Sequence, residues 1–258
     1  MEVHTLGDLL EHRAAADEDL GDPVDALRAP GDPERRYDAA RLLADAQRTG
    51  NFLRQLGVGP GRTIAIADRP TPESILSLFG TALLGGRVRY VPFDSSDSEA
   101  PAEIDARVLI GPTDRLEEAS TSAATKRLGY GRAPGDPETA YFEREVWSEN
   151  PTFPPSDAEE GAVAIETEER NYTHREVMAA AERIADERSL ESGTEIVVRA
   201  PLADVRAVVA GVLAPLASGG TIVFPDSETR GDLAVVTGDS RTPEPATIDV
   251  ADVPVESA

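Results

Sequence analysis

Side chains able to do covalent chemistry are few in this chain, and they are scattered. The three histidines, His4, His12 and His174, stand far apart and form no ligand cluster of the kind a zinc site needs. Cysteine is absent, which removes thiolate nucleophiles, disulfides and iron–sulfur ligation. Lys126 is the single lysine among 25 basic residues, so amine chemistry has one place to occur and the other cations are arginine. A Gly-x-Ser-x-Gly elbow and a glycine-rich run ending in Lys-Ser or Lys-Thr are both missing from the sequence. Gly57-x-Gly59-x-Gly61 has the spacing of a dinucleotide loop but follows a helix and opens a strand, the reverse of the Rossmann order, and reads as a helix stop and turn. The 48 acidic residues supply so many carboxylate pairs that pairing alone nominates no acid–base site.

Charge narrows the field further. Asp plus Glu outnumber Lys plus Arg 48 to 25, a net charge of −23 over 258 residues, with a sequence pI near 4.4. Nucleic-acid binding needs a basic face and is excluded. So acidic a chain is suited to concentrated salt, where the Debye length falls to about 3 Å at 1 M and self-repulsion is screened. The start, Met1-Glu2-Val3-His4-Thr5-Leu6, lacks the basic and apolar regions of a secretory signal, so the cytoplasm is the expected location. Residues 207–225 carry no charge, but Pro215, Ser218, Gly219, Gly220 and Thr221 break them into a buried helix and a strand, and no membrane span is expected.

The elements that must position any site form a repeat. A helix opening at Tyr37 runs to about Leu56, Gly57 to Gly61 turns into a strand at residues 63–67, and Pro70 and Pro72 lead to a helix from Glu73 to Leu84. Gly85-Gly86 then delivers a strand from Val88 to Phe93, closing at Asp94. From Tyr172 the plan recurs: a helix from Thr173, a turn at Gly193, a strand at residues 195–199, a helix over residues 205–217, Gly219-Gly220, and a strand ending at Phe224 before Asp226. Asp38 and the Thr173-His174-Arg175-Glu176 box are the expected helix caps. Alternating helices and short Val/Ile strands predict an α/β fold of two duplicated, parallel-sheet subdomains. The expected division is 1–115 for the first subdomain, 116–160 for an acidic Pro/Gly-rich surface connection with a short element near Thr139 to Trp147, 161–240 for the second, and 241–258 for an acidic tail. The first 36 residues read as peripheral. Tyr90, Phe93 and Phe224 are expected in the core, and Trp147 over an apolar edge.

Tyr37-Asp38-Ala39-Ala40-Arg41-Leu42-Leu43, Gly57-Val58-Gly59-Pro60-Gly61, Pro72-Glu73 and Gly85-Gly86-Arg87-Val88-Arg89-Tyr90-Val91-Pro92-Phe93-Asp94 together resemble the opening of the adenylate-forming superfamily, which holds acyl-CoA synthetases, firefly luciferases and amino-acid adenylation domains. Tyr172 to Glu176 and Gly211 to Val223 resemble the stretch after that family's phosphate loop. The resemblance covers roughly half of the chain. It implies the fold of that family's N-terminal domain, with ATP or AMP, CoA and a small carboxylic acid as the ligands to consider.

The resemblance breaks where the chemistry would be. In the family a Ser/Thr/Gly-rich loop ending in Pro-Lys-Gly holds the ATP phosphates; here that place reads Ala164-Ile165-Glu166-Thr167-Glu168-Glu169-Arg170-Asn171-Tyr172. Three glutamates replace the cradle of glycine N–H groups and the lysine. The sequence ends at Ala258, before the family's later nucleotide motifs, and Lys126 matches none of the family's lysines. Thr237-Gly238-Asp239 looks like the family's ribose-binding Thr-Gly-Asp but comes too early, and reads as a strand ending in a turn. By resemblance, Asp204 falls where the family borders its acyl or amino-acid pocket, although the preferred reading of Asp204 is a helix cap ahead of Val205; His174 is the other substrate candidate, and otherwise an ordinary first-turn residue. Arg170, Thr173 and Arg175 are the groups left to meet a nucleotide. The expected function is therefore a degenerate acyl-CoA synthetase-like module without adenylation of its own, binding a ligand or docking on a complete synthetase or a second copy. Two alternatives stay open: a ligase with an arginine phosphate site or parts from another chain, and a ligand-free interaction protein.

Overall fold

A computed structural model of the chain describes residues 3–18, 24–31, 34–92, 104–154 and 158–255. Phe93 and Asp94, expected to close the second strand of the first repeat, lie outside the described residues.

The chain opens with α1 (Leu6–Glu18) and a hairpin, β1 (Asp25–Ala29) and β2 (Arg35–Asp38). The first repeat follows as α2 (Ala39–Gln55), β3 (Thr63–Ala67), α3 (Pro72–Leu83), β4 (Arg87–Val91) and β5 (Val108–Pro112). Next come α4 (Thr113–Leu116), β6 (Lys126–Tyr130), β7 (Thr139–Tyr141) and α5 (Phe142–Glu145). A second hairpin, β8 (Val163–Glu166) and β9 (Asn171–Thr173), precedes α6 (His174–Glu187) and β10 (Glu195–Val198). The helix after it has three parts, α7 (Val205–Val208), a π-helical turn (Val209–Leu213) and α8 (Ala214–Ser218), and β11 (Thr221–Val223), β12 (Leu233–Val236) and β13 (Ala246–Asp249) complete the chain.

Two mostly parallel sheets result, in the orders β7-β6-β5-β3-β4-β8-β9 and β13-β12-β10-β11-β1-β2. Without β7 their strand orders correspond one for one, β3 with β10 and β4 with β11, so the duplication expected from the sequence is also one of topology. The hairpins are exchanged between the halves. β1 pairs with β11 in parallel, Leu27 opposite Ile222, while β8 pairs with β4, Val88 opposite Ile165. Each exchanged hairpin carries a charged side chain that is bonded within the sheet it joins. Arg28 reaches both carboxylate oxygens of Glu195 at 2.7 and 3.0 Å, and Glu166 accepts from Thr63 Oγ1 at 3.0 Å and from Arg89 Nη1 at 3.2 Å. Partly exposed pairs contribute at most about 1 kcal/mol. Burial of Ala26, Leu27, Ala164 and Ile165, each at most 3% exposed, is what fixes the exchange.

The tight layering depends on small residues. α2 crosses α3 where Gly50 meets Gly80, and a Cβ built on Gly80 would stand 2.8 Å from the Gly50 nitrogen. Within the second-half helix, Ala214 N–H bonds back to the Val209 carbonyl, a π turn that widens the helix just before Pro215, whose nitrogen has no proton to donate. The helix ends at Gly219, at φ +81°, as the glycine pair predicts.

Several expectations need correction. The first 36 residues are not peripheral: Leu6, Leu9 and Leu10 are buried, and Arg13 donates to the Gly220 carbonyl at 3.0 Å. The 116–160 stretch extends a sheet with β6 and β7, and residues 246–249 of the expected tail form β13 against β12. Tyr37 lies in β2, and the helix it was expected to open starts at Ala39, capped by Asp38, which accepts from Arg41 N–H at 2.7 Å. Tyr90 and Phe224 are buried as expected, while Trp147 is 39% exposed and meets Phe142 edge-on at 5.7 Å. Among the missed elements are two short strands of charged or polar sequence, Arg35–Asp38 and Asn171–Thr173, which pair with their hairpin mates β1 and β8 and carry no apolar alternation.

Candidate functional site

A cleft of about 880 Å³ lies between the halves. Its walls come from the carboxyl end of β4 (Arg89 to Pro92), the turn joining β8 to β9 (Thr167 to Glu169), and the start of α7 (Ala203 to Arg206). Val91, Pro92, Ile104, Ala203, Val205 and Val255 give it an apolar floor.

The turn occupies the place that the resemblance assigns to a phosphate loop, and it is closed on itself. Thr167 N–H donates to the Arg170 carbonyl at 3.0 Å, Thr167 Oγ1 donates to the same carbonyl at 2.9 Å, and Arg170 N–H donates to Thr167 Oγ1 at 3.2 Å. Glu168 and Glu169, both exposed, form its tip on the cleft wall. Two exposed carboxylates at the tip repel an incoming anion, and the turn's Thr167 and Arg170 N–H groups are already spent within the turn.

The five expected site residues do not converge. Arg170 is tied down, its guanidinium 4.1 Å over the Tyr172 ring, donating to the Val255 carbonyl at 2.8 Å and 3.6 Å from Glu176. Arg175 forms an exposed ion pair with Glu160, whose carboxyl is held below its usual range by that bond. Thr173 caps α6: Glu176 N–H donates to its hydroxyl at 3.2 Å and Glu176 Oε2 accepts from its N–H at 2.7 Å. His174 is wholly buried beneath α1, where Nδ1 accepts from Leu6 N–H at 3.3 Å; burial depresses its pKa to about 4 against the opposing pull of Asp8. Of the five, only Asp204 lines the cleft. It caps α7 through Arg206 N–H at 3.0 Å and holds the Arg206 guanidinium at 2.8 and 2.6 Å. That bond, with Glu169 and Tyr172 acting from across the cleft, raises the arginine's pKa.

Arg89, Tyr90, Asp105 and Arg206 were missed by the sequence reading. Arg89 donates to Glu166 and, at 2.7 Å, to the Asp105 carbonyl, while its Nε is buried without a partner. Its signal was there, since Arg87 and Arg89 are spaced by two in a strand and share one face. Tyr90 is 7% exposed, its hydroxyl without a partner among the described residues, and burial raises its pKa, with Asp68 and Tyr130 adding to the shift. Thr237-Gly238-Asp239 ends β12 in an exposed turn, Gly238 at φ +62°, apart from the cleft. Among the described residues no group of three or more His, Cys, Asp or Glu is placed to hold a metal, and no helix is long and apolar enough to cross a membrane.

No protein-family model matches the chain, and no curated protein is similar to it in sequence. Solved structures do match in shape. An anthranilate CoA ligase, AuaEII, in complex with anthranoyl-AMP superposes with a TM-score of 0.75 at 16% identity, over 92% of this chain and 50% of that one. The N-terminal domain of FACL13 from Mycobacterium tuberculosis gives 0.73 at 16% identity, over 92% and 63%. The nonribosomal peptide synthetase FmoA3 gives 0.68 at 19% identity, over 86% and 22%. The chain spans about half the length of the ligase and under two thirds of the FACL13 domain. With TM-scores of 0.68 to 0.75 and no more than a fifth of the residues in common, this chain has the fold of the N-terminal domain of adenylate-forming enzymes.

Proposed function

We propose that the protein is a non-adenylating relative of the acyl-CoA synthetases, one that keeps the ligand cleft of the fold and has given up the grip on ATP. The observation that carries this reading is the closed, doubly acidic turn from Thr167 to Arg170 at the phosphate-loop position. The arginine-site alternative loses support because Arg170 is committed to Val255, Glu176 and Tyr172, and Arg175 to Glu160 outside the cleft. The reading fits a binding or partner subunit in the cytoplasm, acting with a complete synthetase or as a homo-oligomer, at high salt where its charge is screened. ATP–pyrophosphate exchange tests it, run on the folded chain in about 2 to 3 M KCl with a panel of carboxylic acids. No exchange above the protein-free rate is expected. Exchange that depends on one of the acids would overturn the reading and restore the ligase.

A further inference from the structure

We propose that the cleft takes an organic cation with an apolar body, of the alkyl- or arylalkylammonium class, instead of the anions that a phosphate loop serves. The proposal rests on the cleft being a retained binding site, as argued above, and adds the chemistry of its occupant.

Acidity by itself points to no site in a chain of net charge −23, whose surface is acidic throughout. The cleft differs from that surface in its enclosure and in how its charges are matched. At about 880 Å³ it has the volume of a small-molecule pocket, and its floor of Val91, Ile104, Ala203, Val205 and Val255 suits a hydrocarbon body. Each guanidinium on its wall already has a carboxylate: Arg89 is bonded to Glu166, and Arg206 to both oxygens of Asp204. An incoming carboxylate or phosphate would have to displace one of these, leaving a lone charge behind. Three more carboxylates line the same space, Asp105, Glu168 and Glu169. None of them is in a salt bridge with a described residue, although Glu169 acts on Arg206 from across the cleft. The surplus at the wall is negative, above an apolar floor. An ammonium head at Glu168 and Glu169 with its body across Val91 and Val205 satisfies both.

The test compares three probes of one shape, 4-phenylbutylammonium, 4-phenylbutanol and 4-phenylbutanoate, by ligand-observed NMR titration in about 2 M KCl, where diffuse surface attraction is screened out. The ammonium is expected to bind saturably, with the carboxylate at least about tenfold weaker and the alcohol between them. Glu168→Gln with Glu169→Gln should weaken the ammonium about tenfold and leave the alcohol unchanged. Both residues are exposed, so the variant is expected to fold, and its melting temperature checks that. Equal or tighter binding of the carboxylate would overturn the proposal, as would an ammonium affinity indifferent to the double variant, or no binding of any probe. Pyrophosphate exchange is read separately. A chain that shows neither exchange nor ammonium binding sinks only this inference, whereas a chain that exchanges sinks the reading beneath it.

Discussion

At the residue scale, what a side chain can do here is set by what already holds it. Arg170 is the nearest cation to the acidic turn in sequence, yet its guanidinium is spent on a carbonyl, a glutamate and a ring face. His174 shows the same economy, as a buried acceptor that fastens α1 to α6. Its pKa is depressed from 6.5 to about 4, so between those values the unfolded chain holds a proton that the folded one refuses. Stability contributed by the neutral imidazole is therefore complete above about pH 6.5 and lost as pH falls towards 4, by as much as about 3 kcal/mol. Urea unfolding in 2 M KCl at pH 7.0 and 5.0 should show a fall that is markedly smaller in His174→Asn, whose amide oxygen can accept from Leu6 without titrating. An equal fall in both proteins would remove His174 from the account. None of this was legible beforehand: the sequence placed His174 in a first helical turn, but only the docking of α1 decides that the ring is buried.

Elements explain more, because their signals are local. The capping box at Thr173, the Asp38 cap, the glycine stops and the Val/Ile strands all act within a few residues, and the structure forms helices and strands where they stand. Asp204 carries a local cap signal, and it caps α7 and holds Arg206 at the border of the cleft. The hairpins escaped detection because β2 and β9 are short edge strands, rich in polar residues, and because their mates β1 and β8 dock on strands distant in sequence, β11 and β4. The crossing of α2 and α3 gives a test at this scale. A methyl added at Gly80 would meet the Gly50 nitrogen at 2.8 Å and the Ala46 carbonyl at 2.9 Å, backbone atoms that can yield only if the helices part. Gly80→Ala is therefore expected to destabilise by about 1 to 3 kcal/mol despite the better helix propensity of alanine. Thermal melts of the variant should show a lower Tm; an unchanged or raised Tm would mean that the helices separate at no cost.

Across the whole molecule, duplication and charge are the two governing facts. Each half completes the other's sheet, so neither has a finished core alone, and the cleft exists only where an exchanged turn meets the facing half. Repeat spacing in the sequence disclosed the duplication, but nothing local disclosed the exchange. With a net charge of −23, self-repulsion opposes folding unless it is screened. The Tm is expected to rise steeply between about 0.1 M and 2 M KCl, over the range in which the Debye length shortens from about 10 Å to below about 3 Å. A melting temperature that does not change with salt would show that local pairs already balance the acids. The central claim, that the phosphate-loop position has become an anion-repelling turn, is tested most directly by calorimetric titration of MgATP into the folded chain in 2 M KCl. The account predicts no saturable binding up to about 1 mM, a limit near 4 kcal/mol of binding free energy. A stoichiometric isotherm with a Kd below about 0.1 mM would contradict it.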